Sequence, residues 1–285
     1  MNLYGMVARQ LLIGKFSVKR LIGSIVLVYV SLLLCVYFYS DRMIFQPQRS
    51  TYEDGPEILK IEMEDGAHLS ALYLADAHAE FTILHSHGNA EDLGGVRPLL
   101  EIFRKQGFSV FAYDYRGYGT SEGTPSEKNA YRDVEAAYKY LVETLEVPPK
   151  RIIAHGQSLG GALAIHLACR EQIAGLILES SFVTAFRVIT RVPLAPFDKF
   201  RNIDKIKHVQ CPVLVIHGKD DQIVPLWHGQ RLFDQANEPK LHLWVEDAGH
   251  NDVIWVDSTR YWDMIKELAR ITRRDESRVG DVGSK

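Results

Sequence analysis

RIIAHGQSLGG, residues 151–161, decides the fold. The short β-branched run Arg151–His155 reads as a buried strand, and helical sequence over Leu159–Arg170 follows almost at once. Between them lies Gly156-Gln157-Ser158-Leu159-Gly160, the pattern G-x-S-x-G in the strand-to-helix setting it requires. A sharp turn there lifts the serine above the sheet, and side chains two positions to either side would collide with neighbouring backbone. Ser158 then stands at a helix N-terminus, where backbone N–H groups and the helix dipole favour developing negative charge. A glycine-rich turn with a capping serine would be spelled the same way. The nucleophile reading therefore needs partners elsewhere in the chain.

Working outward, strands and helices alternate. Ile58–Met63 and Leu69–Leu74 read as a hairpin closed by Asp65-Gly66. Short apolar runs follow at Phe81–His85, Ser109–Tyr113, Leu176–Leu178, Val213–His217 and Leu241–Val245. Helical patterns separate them, at about Leu93–Gln106, Ser126–Leu145, Trp227–Gln235 and Ser258–Thr272. A hairpin entering such an alternation predicts the α/β class, with a mostly parallel sheet covered by helices on both faces. Sites in such sheets lie at the carboxyl ends of the strands.

A serine hydroxyl is a poor nucleophile at neutral pH and needs an adjacent base, itself oriented by a third group. The Val213–His217 strand ends in Gly218-Lys219-Asp220-Asp221, two carboxylates just past a carboxyl end. The Leu241–Val245 strand is followed by Asp247-Ala248-Gly249-His250. Eleven histidines compete for the base. His250 is the one that follows both the serine and an acid in a post-strand loop, the chain order serine, acid, histidine. His155, His217 and His242 lie in or at the ends of strands, where packing accounts for them. Asp220, Asp221 and the loop neighbour Asp247 all remain open as the acid, because adjacent residues simply point different ways.

The first forty residues differ from the rest. Leu21–Tyr39 holds no charge, and its 19 residues as a helix would span roughly 30 Å, the hydrocarbon thickness of a bilayer. The run is too long for a signal-peptide core and lacks a small-x-small cleavage site, so it reads as an uncleaved transmembrane anchor over residues 21–39. Arg9, Lys15, Lys19 and Arg20 precede it, whereas Arg42 and Arg49 follow. That asymmetry predicts a cytoplasmic N-terminus (residues 1–20) and a catalytic domain on the periplasmic or extracytoplasmic side. The alternative is an interfacial helix or hairpin with the domain left in the cytosol. A polar, Pro-containing joint at 45–56 would lead into the main domain, residues 42–272, and residues 273–285 read as a flexible polar tail.

Hydrophobic content of 46% with 24% charged residues excludes wholesale disorder, and a net charge of -3 offers no basic field for nucleic acid. Three cysteines (Cys35, Cys169 and Cys211) make no disulfide framework and show no metal-ligand spacing. No metal is expected. Gly117-Tyr-Gly-Thr-Ser-Glu-Gly123 has the wrong spacing for a dinucleotide fingerprint, and no cofactor is expected either.

His87-Gly-Asn89, Asp114-Tyr-Arg-Gly-Tyr-Gly-Thr-Ser-Glu-Gly123, Gly156-Gln-Ser-Leu-Gly160, His217-Gly-Lys-Asp-Asp221 and Gly249-His-Asn-Asp252 stand in that order. Together they resemble the Bem46-like α/β-hydrolases and are similar to serine hydrolases of the α/β-hydrolase-domain 17 and 13 types. The likeness covers roughly residues 42–270. It implies an α/β-hydrolase fold and an acyl-enzyme mechanism without metal or cofactor. It also implies that the acid of the triad is Asp221, three residues after the glycine of His-Gly. It further implies that backbone N–H groups of Asn89 and Leu159 form the oxyanion hole, worth about 3 kcal/mol each.

The domain 17 branch carries an N-terminal cysteine cluster for lipid attachment, where this chain has an apolar span. Residues 182–208 are too few for the acidic cap of an S33 aminopeptidase. They read as a short apolar lid, with Phe182 and Phe186 as candidate substrate contacts. The expected function is cleavage of acyl esters or thioesters of a small-molecule or lipid substrate at a membrane. A serine peptidase or lysophospholipase-like hydrolase is the alternative, and a non-catalytic scaffold is the reading from another class.

Overall fold

The computed structural model describes residues 17–282, with side chains to Arg273; most of the segment read as the cytoplasmic N-terminus and residues 283–285 lie outside it. Two units are distinguished, one ending at Met43 and one beginning at Ile44. The described part of the first is helix α1 (Val18–Ile44), whose last residue opens the second unit and which overruns the 21–39 span at both ends. Its most apolar 18-residue window has a mean hydropathy of 2.5, and the helix is long and apolar enough to cross a membrane.

The second unit is built on one eight-stranded sheet. Its strands are β1 (Ile58–Glu62), β2 (His68–Leu74), β3 (Thr82–Ser86), β4 (Ser109–Tyr113), β5 (Ile152–Gln157), β6 (Gly175–Glu179), β7 (Val213–Gly218) and β8 (Lys240–Val245). They lie in the order β1-β2-β4-β3-β5-β6-β7-β8. The β1–β2 hairpin pairs antiparallel, as does β2 with β4, and every other pairing is parallel. This is the α/β-hydrolase sheet, and each expected strand is present with its ends shifted by a residue or two.

Strand side chains alternate between two apolar layers, which is why these strands read as continuous apolar runs. Ile152, Ala154, Val213 and Val215 face one layer, with buried residues of α3 (Glu127–Lys139), α4 (Leu159–Ala168) and α7 (Trp227–Gln235). Ile153, Leu214 and Ile216 face the other, with α2 (Leu93–Lys105) and α9 (Ser258–Val282). Helix α3 runs on into a π turn, Tyr140–Thr144. Helix α4 is apolar all round because it is buried all round, His166 excepted. Between β6 and β7 stand α5 (Ala185–Thr190) and α6 (Asn202–Lys205). Helix α8 (Val253–Val256) follows the histidine loop.

Two expectations need correction. The stretch after α1 is no joint: Phe45 is 3% exposed and packs edge-on against Tyr118 and Phe200. The Thr51 N–H donates to Asp92 Oδ2 at 2.7 Å, and the Tyr52 hydroxyl donates to Asp114 Oδ2 at 2.6 Å. Polar residues there are engaged one by one, which leaves no periodic trace in the sequence. The last helix passes Thr272 and continues to Val282, since residues 273–279 contain neither Gly nor Pro and are rich in strong helix formers. Cys169 and Cys211 are free and half-buried.

The loop at the end of β4 is fastened by Arg116, whose side chain is nearly inaccessible. Its Nε donates to Asp133 Oδ1 of α3 at 2.9 Å and its Nη1 to Asp65 Oδ2 of the hairpin at 2.6 Å. Breaking a buried pair leaves an uncompensated charge, so Arg116→Met should cost about 3–5 kcal/mol in urea unfolding. Adding Asp133→Leu should restore part of that loss, and a double variant no more stable than the single one contradicts the account.

Candidate active site

Strand β5 delivers Ser158 into a left-handed conformation, φ +50°, at the first step of α4. The turn closes tightly on its neighbours. A Cβ at Gly156 would lie 2.4 Å from the Gly160 carbonyl oxygen, and one at Gly160 would lie 1.9 Å from that of Ser86. The Ser158 N–H donates to the Glu179 carbonyl at 2.8 Å, which ties the turn to the end of β6.

The histidine arrives from the next strand but one beyond β6. After β8 the loop folds back on the end of β7, where Gly218 leaves no space for a side chain: a Cβ would stand 2.3 Å from the carbonyls of Ala248 and Gly249. Lys219 N–H to the Val245 carbonyl and Asp220 N–H to the Ala248 carbonyl, each 2.9 Å, zip the acid loop to the histidine loop. Asp252 Oδ1 accepts the Gly249 N–H at 2.6 Å and tightens the turn before His250.

The result is a continuous chain of contacts. His250 Nε2 lies 3.0 Å from Ser158 Oγ, and His250 Nδ1 lies 2.7 Å from Asp221 Oδ2. A carboxylate can only accept, so Nδ1 carries the proton and Nε2 is left to accept from the serine hydroxyl. Of the three carboxylates open on sequence grounds, Asp221 meets the ring; Asp220 and Asp247 are exposed.

Asp221 is held from several sides. Its Oδ1 accepts the N–H groups of Ile223 at 2.9 Å and Val224 at 2.8 Å. His217 Nε2, which also donates to the Val224 carbonyl at 2.7 Å, lies 3.3 Å from Oδ2. Burial works to raise this carboxyl, but the bonds from His217 and His250, the charge of His250 and the Val224 N–H outweigh it. The net effect holds the group well below the usual carboxylate range. Packing explained His217 from sequence; its contact with Asp221 was missed, and no sequence signal separates a core histidine from one that braces an acid.

Opposite Ser158, His250 and Asp221, β3 leads into His87-Gly88-Asn89. A Cβ at Gly88 would stand 3.9 Å from Ser158 Cβ, so this loop borders Ser158. The backbone N–H groups of Asn89 and Leu159 have no hydrogen-bond acceptor among the described residues. The Asn89 side chain is fully committed elsewhere. Its Oδ1 accepts from the Tyr118 hydroxyl at 2.6 Å and the Gln46 N–H at 3.1 Å, and its Nδ2 donates to the Ile44 carbonyl at 2.6 Å. His87 stacks on Tyr115 with centroids 4.1 Å apart, and its Nε2 makes a 3.3 Å ion-pair contact with buried Asp114. The loop of residues 114–123, read as lying under the site, thus braces the loop beside Ser158.

Between β6 and β7, Phe182 is buried in the apolar layer, while Phe186 is half-buried edge-on to Phe197 at 5.9 Å. Among the described residues no group of three or more His, Cys, Asp or Glu side chains is placed to hold a metal ion.

The chain is 38% identical to human α/β-hydrolase domain-containing protein 17B over 75% of each chain. It is 39% identical to the 17C protein of Xenopus laevis, over 77% of this chain and 71% of that one. The chain belongs to this α/β-hydrolase family. The profile of the serine aminopeptidase S33 family also matches residues 77–202. Among solved structures, an esterase of Pyrococcus furiosus superposes with a TM-score of 0.67 at 22% identity, covering 79% of this chain and 98% of the esterase. A monoacylglycerol lipase of Paleococcus ferrophilus does so at 0.57 and 20% identity, over 72% and 98%. At such identities the likeness is one of fold.

Because Asp221 has a folded pKa below its ordinary value of 3.8, its stabilising contribution is present at neutral pH and lost as pH falls through and below that value. The difference in unfolding free energy between wild type and Asp221→Asn should therefore narrow between about pH 6 and pH 3. A difference that stays constant over that range contradicts the assigned ionisation.

Proposed function

We propose that this protein is a membrane-anchored serine hydrolase that cleaves acyl esters or thioesters through an acyl-enzyme on Ser158. The observation carrying the reading is the 2.7 Å and 3.0 Å pair of contacts that places His250 between Asp221 and Ser158. His250 Nε2 takes the hydroxyl proton as Ser158 Oγ attacks the acyl carbonyl. The oxyanion that forms is received by the N–H groups of Asn89 and Leu159, and the dipole of α4 adds to their effect. Protonated His250 then gives its proton to the departing alcohol or thiol, and the same ring activates the water that releases the acid. Asp221 stays ionised throughout, holding the tautomer and stabilising the imidazolium.

Helix α1 supplies the anchor in this reading. Four basic residues before the apolar span and two after it favour a cytoplasmic N-terminus and an outward-facing domain. Acyl esters are favoured over peptides because only residues 180–212 separate β6 from β7, and their side chains are largely apolar. The S33 profile match keeps a peptidase as the second reading.

Ser158→Ala should lower kcat on p-nitrophenyl esters by about 10⁴-fold or more while leaving the unfolding transition in place. The same change should abolish labelling by a fluorophosphonate. Undiminished turnover or labelling in that variant removes the proposal, and faster turnover of aminoacyl p-nitroanilides than of esters selects the peptidase.

A further inference from the structure

Residues 114–123 form the longest of the five motifs, yet the mechanism gives none of their side chains a part. One of them, Tyr118, is 1% exposed, with its ring against those of His87, Tyr115 and Phe45 at centroid distances of 5.5, 5.4 and 6.4 Å. Its hydroxyl stands where three segments of the chain meet. It donates to Asn89 Oδ1 at 2.6 Å and accepts the Gln46 N–H at 3.0 Å, and that same N–H reaches Asn89 Oδ1 at 3.1 Å. Burial pushes the phenol well above its ordinary range, so the group stays a donor at every working pH.

The loop that this hydroxyl grips is strained. Ala90 holds φ at +64°, a left-handed conformation that persists in a residue other than glycine only where its surroundings impose it. Three consecutive N–H groups there differ in fate. That of Gly88 donates to Glu91 Oε2 at 2.8 Å and that of Ala90 to Asn89 Oδ1 at 3.1 Å. That of Asn89, between them, has no acceptor among the described residues. The Asn89 side-chain amide is clamped at both ends, its Oδ1 by Tyr118 and Gln46 and its Nδ2 by the Ile44 carbonyl at 2.6 Å. Turning that amide would release the Ala90 N–H and let the strained backbone relax. A donor to an oxyanion is effective because it is aimed before the charge forms, so whatever holds this loop also holds the aim of its free N–H.

We infer that Tyr118 is a positioning residue for the oxyanion hole: its hydroxyl, acting through the Asn89 side-chain amide, sets the direction of the Asn89 backbone N–H. The inference rests on the reading of Ser158 as the nucleophile and of Asn89 as an oxyanion donor. Tyr118 itself meets no reacting atom. Its effect falls on the tetrahedral stage, after substrate is bound, so the loss on removing it belongs to kcat and not to KM.

The test compares the full chain as wild type, Tyr118→Phe, Asn89→Ala and the double variant. Turnover is measured on p-nitrophenyl acetate, and affinity for an alkyl trifluoromethyl ketone, which adds Ser158 Oγ to form a stable tetrahedral adduct. Removing an oxyanion donor outright costs about 10²–10³-fold, and misaiming one forfeits part of that. Tyr118→Phe should therefore lower kcat by about tenfold, leave KM within about twofold, and weaken the ketone by the same factor as kcat. In the Asn89→Ala background the same change should cost less than about twofold, because the amide through which it acts is gone. A full loss in both backgrounds overturns the route through Asn89. A lowered unfolding midpoint with kcat and ketone affinity intact makes Tyr118 a packing residue, and a rise in KM alone makes it part of the substrate pocket; either result overturns the inference. Should Tyr118→Phe fail to fold, Asn89→Ala by itself must show the matched loss in kcat and ketone affinity, and unchanged values there are fatal. Fluorophosphonate labelling of Ser158 is scored separately. A chain labelled there whose variants turn over like wild type keeps its nucleophile and loses the positioning role, whereas an unlabelled wild type removes the catalytic assignment and this inference with it.

Discussion

The architecture of the site depends on one strained residue. Ser158 holds a backbone conformation that costs of order 1–3 kcal/mol for a side chain other than glycine, and it keeps it because its surroundings permit nothing else. Gly160 is pressed against the carbonyl of Ser86, Gly156 against that of Gly160, and the Ser158 N–H is held by Glu179. Beneath the turn the Glu179 carboxylate accepts the Tyr261 hydroxyl at 2.7 Å and lies 3.4 Å from His155, which is 3.0 Å from His85. These buried polar groups link β3, β5, β6 and α9 immediately behind Ser158. A network of this kind rigidifies the core around it, and it gives the strained turn a stiff floor.

The other side chains of the site depend on how closely loops can approach the sheet edge. Gly218 lets the histidine loop lie directly on the end of β7, and two backbone bonds then fix that loop against the acid loop. His250 and His217 both reach Asp221, yet they differ in access. His217 is wholly buried and spends its Nε2 proton on a carbonyl and the carboxylate, whereas His250 keeps one nitrogen toward Ser158. The carboxylate is thus gripped by a fixed ring on one side and presented to a working ring on the other.

Much of this was readable from the chain because it is written in periodicity and order. Buried strands between helical stretches, and a serine between glycines, follow from local rules that hold wherever the segment ends up. The choice among Asp220, Asp221 and Asp247 was not readable by those rules. Their directions are set by backbone torsions in turns, and it was the family likeness that favoured Asp221. Residues 45–56 were misread for a related cause. Phe45, Thr51 and Tyr52 are each held by contacts to residues far along the chain, so they carry no amphipathic repeat and look like a spacer. The continuation of the last helix beyond Thr272 escaped because the expectation followed the apolar stripe, which stops, rather than backbone propensity, which does not.

The strap of residues 44–52 sets a limit on modularity. An apolar helix is a generic device, and in principle one membrane anchor can be exchanged for another, or for a lipid-bearing tail, without regard to the chemistry it carries. Here the backbone at Ile44 and Gln46 completes the hydrogen bonding of Asn89, and Tyr52 completes that of Asp114. The seam along which such parts can be interchanged therefore falls at residue 43, just after the charged pair Asp41-Arg42. Grafts joined downstream of it would inherit the whole sheet and still lack the groups that complete the hydrogen bonding of Asn89 and Asp114.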